Sequence, residues 1–97
     1  MSALRPKETK LLREALGLTG RSKIADRNGK YVIGHDVEAW QHLAMLGLAV
    51  ENEHSRTPLS RYYHVTRAGF EAVRSDREKL NPDVADRMDG LSRGRAA

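Results

Sequence analysis

The sequence contains no cysteine, which excludes disulfide scaffolds, thiolate zinc sites and cysteine nucleophiles and is typical of a reducing cytoplasm. It has no apolar run near the roughly 18–20 residues that a membrane-spanning helix needs. Its first ten residues are charged and hold no apolar segment, so no secretory signal is predicted. We therefore expect a cytoplasmic protein with no membrane partner.

Large apolar residues are also scarce. The 97 residues include twenty Leu, Ile, Val and Phe and a single tryptophan, which is enough for one domain and too few for two. Seventeen of the twenty lie between Leu4 and Val73. We predict a domain over residues 1–80, followed by a short helix and a flexible tail over residues 81–97.

Charge is distributed unevenly around a net value of +4. Residues 1–30 carry eight Lys or Arg and three acids, whereas residues 31–54 carry four acids and no Lys or Arg. Three arginines follow in residues 55–67. A modest basic excess of this kind permits contact with nucleic acid without requiring it.

Hydrophobic periodicity predicts an α+β domain. Asn28-Gly29 is typical of a hairpin turn, Asp36 is a natural helix N-cap, and Trp40 lies on an inward helical stripe. Of the adjacent Tyr62 and Tyr63, we expect Tyr63 in the core and Tyr62 outside, available for stacking or a partner. The predicted elements are a helix over 4–18, strands over 22–26 and 30–33 or only the second of these, a helix over 35–47, a hairpin over 48–66, a helix over 67–80 and a short helix over 81–89.

The most specific pattern runs from Trp40 to Phe70. A helix ends in Gly47-Leu48 and feeds a hairpin, and the returning strand reads Tyr-His-Val-Thr-Arg-Ala-Gly-Phe over residues 63–70. This pattern resembles the winged-helix superfamily of DNA-binding domains. The chain is also similar to small uncharacterised phage and prophage proteins, through Arg27-Asn28, Gly34-His35-Asp36 and Trp40.

The resemblance implies a winged-helix-like fold with about three helices, a small antiparallel sheet and a hairpin that forms the wing. It implies a regulator of transcription that binds double-stranded DNA. One departure stands out, because a winged helix normally places two helices before the wing, whereas residues 19–34 here are predicted as strand and turn.

The DNA-binding hypothesis assigns residues to three groups. Arginines and hydroxyls of the hairpin loop suit phosphates or the minor groove, a basic segment before the second helix suits the backbone, and polar residues of that helix are the candidates for base contacts. The hypothesis requires the loop arginines to be free of neighbouring carboxylates. The assigned residues are Arg56 and Arg61 in the loop, Arg21, Lys23, Arg27 and Lys30 in the basic segment, and His35, Gln41 and His42 in the helix.

A second hypothesis is that the chain is a protein-interaction module, such as a phage inhibitor of a host protein. This module would bind through the acidic face from Asp36 to Glu53. A homodimer would use the helices predicted over 67–80 and 82–89. No phosphate loop, Gly-x-Ser-x-Gly elbow or HExxH motif is present, so we predict neither an enzyme nor a bound metal or cofactor.

Overall fold

A computed structural model describes the backbone of residues 4–96 and the side chains of residues 4–91. This part of the chain is α+β, with four α-helices, a three-stranded antiparallel sheet and a separate pair of parallel strands. The elements are α1 (Pro6–Leu16), β1 (Ile24–Ala25), β2 (Gly29–Ile33), α2 (Asp36–Met45), β3 (Ala49–Glu51), a 3-10 turn (Glu53–Ser55), β4 (Ser60–Val65), α3 (Arg67–Val73), β5 (Lys79–Leu80) and α4 (Pro82–Ala96).

The antiparallel sheet has the order β2-β4-β3, so β4 pairs on both of its edges. Tyr31 lies opposite Tyr62 in the β2–β4 ladder, and Ala49 lies opposite Val65 in the β3–β4 ladder. Because successive side chains of a strand point to opposite faces, Tyr63 and Val65 are buried while Tyr62 lies on the other face. The predicted assignment of the two tyrosines is confirmed.

The core lies between this sheet and the helices. Trp40 of α2 is fully buried and stacks on Tyr63, with ring centroids 5.5 Å apart. Leu12 and Leu16 of α1 and Phe70 of α3 join the same cluster. The cluster also includes Val84 and Met88, so α4 contributes to the core of the domain.

Two of the predicted elements differ in the structure. The Asn28-Gly29 pair does not form a hairpin turn, because Asn28 is buried and its side chain donates to the carbonyl of Val65. The backbone carbonyl of Asn28 accepts a hydrogen bond from the N–H of Val65, and this bond begins the β2–β4 ladder. Of the two predicted alternatives, only the second strand belongs to this sheet, and β1 instead pairs in parallel with β5.

The helix predicted over 67–80 ends at Val73, and the described chain has four helices where about three were predicted. Arg74 leaves the helix in extended conformation, and Leu80 then pairs with Ala25. The next helix runs past its predicted end at Asp89 to Ala96, while Ala97 lies outside the described residues. Phe70 and Met88 of these helices are buried in the core, so the predicted homodimer, which stays a prediction, would have to use the other side chains of this surface.

The turn after α3 is held by an ion pair between the buried Glu78 and the partly exposed Arg13. Arg13 of α1 donates to both carboxylate oxygens of Glu78, at 2.8 and 2.6 Å, and to the carbonyl of Val73. The Arg13 hydrogen bonds lower the pKa of Glu78 to about 2 against the opposing effect of burial, and the Ser75 backbone N–H adds to the lowering.

Replacing Glu78 by glutamine should therefore destabilise the protein in a pH-dependent way. We expect a loss of about 2 kcal/mol in the free energy of unfolding at neutral pH, since a charged hydrogen-bonded pair is removed. The pKa of Glu78 is lower in the folded state, so its contribution is present above the ordinary value of 4.5 and is lost as the pH falls towards about 2. Urea unfolding at several pH values measures this, with Glu71→Gln, an exposed partner of Arg74, as the control. Equal losses in both variants, or a loss independent of pH, would contradict the assignment.

Candidate nucleic-acid interface

The two arginines predicted in the hairpin loop lie against one carboxylate, although Arg61 belongs to β4 and only Arg56 to the loop. Arg56 donates from Nε and Nη2 to the two oxygens of Glu51, at 2.8 and 2.7 Å. Arg61 donates to the carbonyls of Thr57 and Ser60, and its Nε lies 3.8 Å from Glu51. The hydrogen bond from Arg56 lowers the pKa of Glu51 despite its partial burial, so this carboxylate stays ionised. Both arginines are therefore engaged within the loop.

Two of the three hydroxyls in this loop, those of Thr57 and Ser60, are engaged as well. The Thr57 and Ser60 hydroxyls bond to each other at 2.8 Å, and the Thr57 oxygen also accepts from the N–H groups of Leu59 and Ser60. These contacts close the turn, and Leu59 is left 83% exposed at its tip. The loop thus presents an apolar side chain where the wing hypothesis expects cations.

His42, predicted as a base contact, instead binds α1. Its Nδ1 lies 2.5 Å from Oε2 of Glu8, which is buried, and the other oxygen of Glu8 accepts from the backbone N–H of Arg5. Burial alone would raise the pKa of Glu8, but the hydrogen bonds with His42 and Arg5 outweigh it and the pKa is lowered. The pair therefore fastens α2 to the first turn of α1.

The rest of the outer face of α2 carries little positive charge. Glu38 and Gln41 are exposed, and Asp36 forms an ion pair with Lys7 at 3.2 Å. His35 precedes the helix, is largely exposed, and lies 3.7 Å from Asp36. Of the three predicted base contacts, His35 and Gln41 are free to meet a ligand, beside acids that repel phosphate.

The basic segment before β2 keeps its cations exposed. Arg21, Lys23 and Arg27 have no carboxylate within 4.0 Å among the described side chains, whereas Lys30 lies 3.6 Å from Glu14. This segment agrees with the expectation of an accessible basic surface at three of its four positions.

The β1–β5 pairing adds two cations that the sequence analysis did not assign. The N–H of Lys79 donates to the carbonyl of Lys23 at 2.9 Å, and Arg77 lies two residues before Lys79. Both are exposed, and neither has a carboxylate within 4.0 Å among the described side chains. Backbone pairing thus brings Lys23 and Lys79 together. We group these two with the exposed cations that lie near them along the chain under the name basic edge, which consists of Arg21, Lys23, Arg27, Arg77 and Lys79.

A second exposed surface lies on the face of the sheet that points away from the core. Tyr31 and Tyr62 meet edge to face at 4.6 Å, and Tyr62 contacts the ring of His64 at 5.0 Å. A Cβ at Gly29 would overlap the hydroxyl of Tyr62, so this glycine is required for the ring of Tyr62 to lie across the strand. Together with Ile33, these residues form what we call the outer sheet face.

The described residues form shallow surface clefts. One of about 330 Å³ lies between the first turns of α1 and α2 and is lined by residues that include Arg5, Glu8, His35 and His42. Among the described residues, no group of three or more His, Asp or Glu is arranged to hold a metal ion. The cleft contains the Glu8–His42 pair, whose hydrogen bonds join the two helices.

Comparison of the chain with protein-family models, with curated proteins and with solved structures finds no match. Within the described residues, no helix combines the length and the apolar composition that crossing a membrane requires.

The Glu8–His42 contact predicts that two neighbouring residues of α2, Gln41 and His42, contribute differently to the stability of the protein. Changing His42 to alanine should lower the free energy of unfolding by about 2 kcal/mol, because it leaves the buried carboxylate of Glu8 without its side-chain partner. The pKa of Glu8, followed by NMR titration, should rise in the same variant. Gln41→Ala, on the exposed face, should change neither quantity. An unchanged pKa of Glu8 in His42→Ala would refute this account of α2.

Proposed function

We propose that the protein is a small winged-helix-like DNA-binding protein that contacts duplex phosphates through its basic edge. The observation that carries the proposal is that the cations of this edge have no carboxylate partners within the described residues, in contrast to the arginines of the loop. A cation held by a carboxylate must give up that contact before it binds phosphate, whereas an unpaired surface cation releases only counterions and water.

The element order also supports the proposal. A helix, an edge strand, a second helix and a hairpin, with the strand order β2-β4-β3, correspond to the winged-helix arrangement that the sequence resembles. The departure found in the sequence persists, since residues 19–34 hold β1 and β2 and no helix. We therefore assign the main contact to the basic edge and not to a recognition helix.

Phosphate contacts position a protein on DNA without reading bases. The role we propose is binding that depends strongly on salt, with His35 and Gln41 as the residues free to add base contacts. Regulation of phage or prophage transcription is the biological setting that the sequence resemblance suggests.

Salt titration of duplex binding tests the proposal. About four phosphate contacts predict a slope near −4 in a plot of log affinity against log salt concentration. Lys23→Ala/Lys79→Ala should weaken binding and reduce the magnitude of this slope by about 2, since each phosphate contact contributes about 0.9.

The matched control removes the same charge from the loop. Arg56→Ala/Arg61→Ala should leave most of the slope in place, because those guanidinium groups serve Glu51 and the loop carbonyls. A control variant that loses binding while the Lys23/Lys79 variant retains it would move the interface to the loop. Absence of duplex binding at about 50 mM salt would exclude the function itself.

A second candidate function, docking on another protein, is favoured by one face of α2. Glu38, Gln41 and Met45 share that face at helical spacing and are exposed, with Met45 at 85%. A free acid, an amide and a large thioether suit a partner with basic and apolar groups and do not suit DNA. The acidic surface expected over 36–53 is narrower than the sequence indicates, since Asp36 and Glu51 are paired within the chain.

Affinity capture with a matched pair of variants tests this second function. After nuclease treatment, a stoichiometric partner should be lost with Glu38→Lys/Met45→Asp and retained with Leu59→Asp, which alters an equally exposed apolar residue elsewhere. A partner that is lost with both variants, or no stoichiometric partner, would count against docking through α2.

A further inference from the structure

The outer edge of β2 is an open strand edge. β2 is a terminal strand of the sheet, and no strand within residues 4–96 pairs with its other side. Natural edge strands are protected from pairing by proline, bulges or outward-facing charge. Over Gly29–Ile33 the only charged residue is Lys30, which lies 3.6 Å from Glu14 of α1, and there is no proline.

The backbone groups on this edge can be identified from the ladder. Val65 N–H donates to the carbonyl of Asn28 at 2.7 Å, and bonded pairs in an antiparallel ladder alternate along the strand. Lys30 and Val32 therefore direct their N–H and C=O groups towards β4. Gly29, Tyr31 and Ile33 direct theirs away from it, and within the part of the chain that the structure describes these three donors and three acceptors have no hydrogen-bond partner.

The side chains of the same residues lie on the outer sheet face. Tyr31 and Ile33 are each 65% exposed, and Tyr31 also contacts the ring of Tyr62 opposite it on β4. At Gly29 there is no side chain, and the ring of Tyr62 lies over that position. The edge therefore has the exposed side chain of Ile33 at one end and the ring of Tyr62, over Gly29, at the other.

We propose that β2 pairs with β2 of a second copy of this chain in antiparallel orientation. The edge is self-complementary about Tyr31, because pairing Tyr31 with Tyr31 of the other copy places Gly29 opposite Ile33 at both ends. All outward-facing backbone groups of the three residues then face a partner. Ile33 of each copy also meets the ring of Tyr62 that lies over Gly29 of the other copy.

The two interactions should depend on salt concentration in opposite ways. Each chain carries a net charge of +4, so two copies repel each other, and added salt weakens that repulsion. Self-association through β2 should therefore persist or strengthen as salt is raised, whereas binding to duplex phosphates weakens. The proposal does not depend on the proposed function, and the failure of either is visible without the other.

Cysteine crosslinking tests the register, since the chain has no cysteine of its own. Residues opposite each other in a bonded antiparallel pair have Cα atoms about 5.5 Å apart, within the range of about 4.4–6.8 Å that disulfides span. Tyr31→Cys should form a covalent dimer under mild oxidation. Leu59→Cys is more exposed, so random collision would crosslink it at least as fast. Comparable crosslinking of the two variants would overturn the proposal.

Sedimentation equilibrium of the full chain, at concentrations up to about 1 mM, tests whether backbone pairing drives the association. Ile33→Thr and Ile33→Pro both remove the apolar side chain, but only proline removes the outward N–H, and neither alters a bond to β4. We expect Ile33→Pro to dissociate the dimer more completely than Ile33→Thr, with circular dichroism showing that both fold. Equal effects would overturn strand pairing as the mechanism. A monomer at every concentration would overturn the proposal and leave the edge to a strand of a different protein.

Discussion

Pairing of β4 on both edges is the constraint on which the rest of the architecture depends. β2 precedes α2 and β3 follows it, so the two ladders of β4 hold both ends of that helix against one sheet. The register directs Tyr63 into the core, where Trp40 stacks on it. A slip of one residue would exchange Tyr62 for Tyr63 and remove the surface that α2 packs against.

Three shielded carboxylates bind basic groups that the sequence offers to a ligand, in addition to the exposed acids, such as Glu14, that pair with others. Glu8, Glu51 and Glu78 are shielded from water to different degrees, and each binds a histidine or arginine that restores the interactions lost on burial. Arg56 is bound in this way although it lies in an exposed loop. A count of charges along the sequence does not contain this information, because availability depends on whether a shielded carboxylate is within reach.

Much of the architecture could be predicted from local patterns. The inward position of Trp40 follows from helical spacing, and the contrast between Tyr62 and Tyr63 follows from strand alternation. Asn28 shows where such reasoning fails, since Asn-Gly is typical of turns but here the asparagine binds Val65, 37 residues away. The β1–β5 pair could not be predicted either, because strands of two residues are too short to show an alternating hydrophobic pattern and these two lie far apart in the sequence. Lys79 and Arg77 could therefore not be assigned to the basic edge from the sequence.

The two proposed contact surfaces, the basic edge and the outer edge of β2, would have complementary effects on DNA binding. In the proposed function the basic edge would supply charge without base recognition, and α2 combines its exposed amide with acids that repel phosphate, so one copy alone would bind DNA with little discrimination between sequences. Two copies joined through β2 would double the number of cations offered to one duplex while fixing the spacing between the two sets. Because the released counterions add in the logarithm of the affinity, such a dimer would bind duplex DNA far more tightly than a monomer at low salt and would lose that advantage more steeply as salt rises. A weak strand-to-strand contact would then be sufficient, since the DNA itself holds the two copies together.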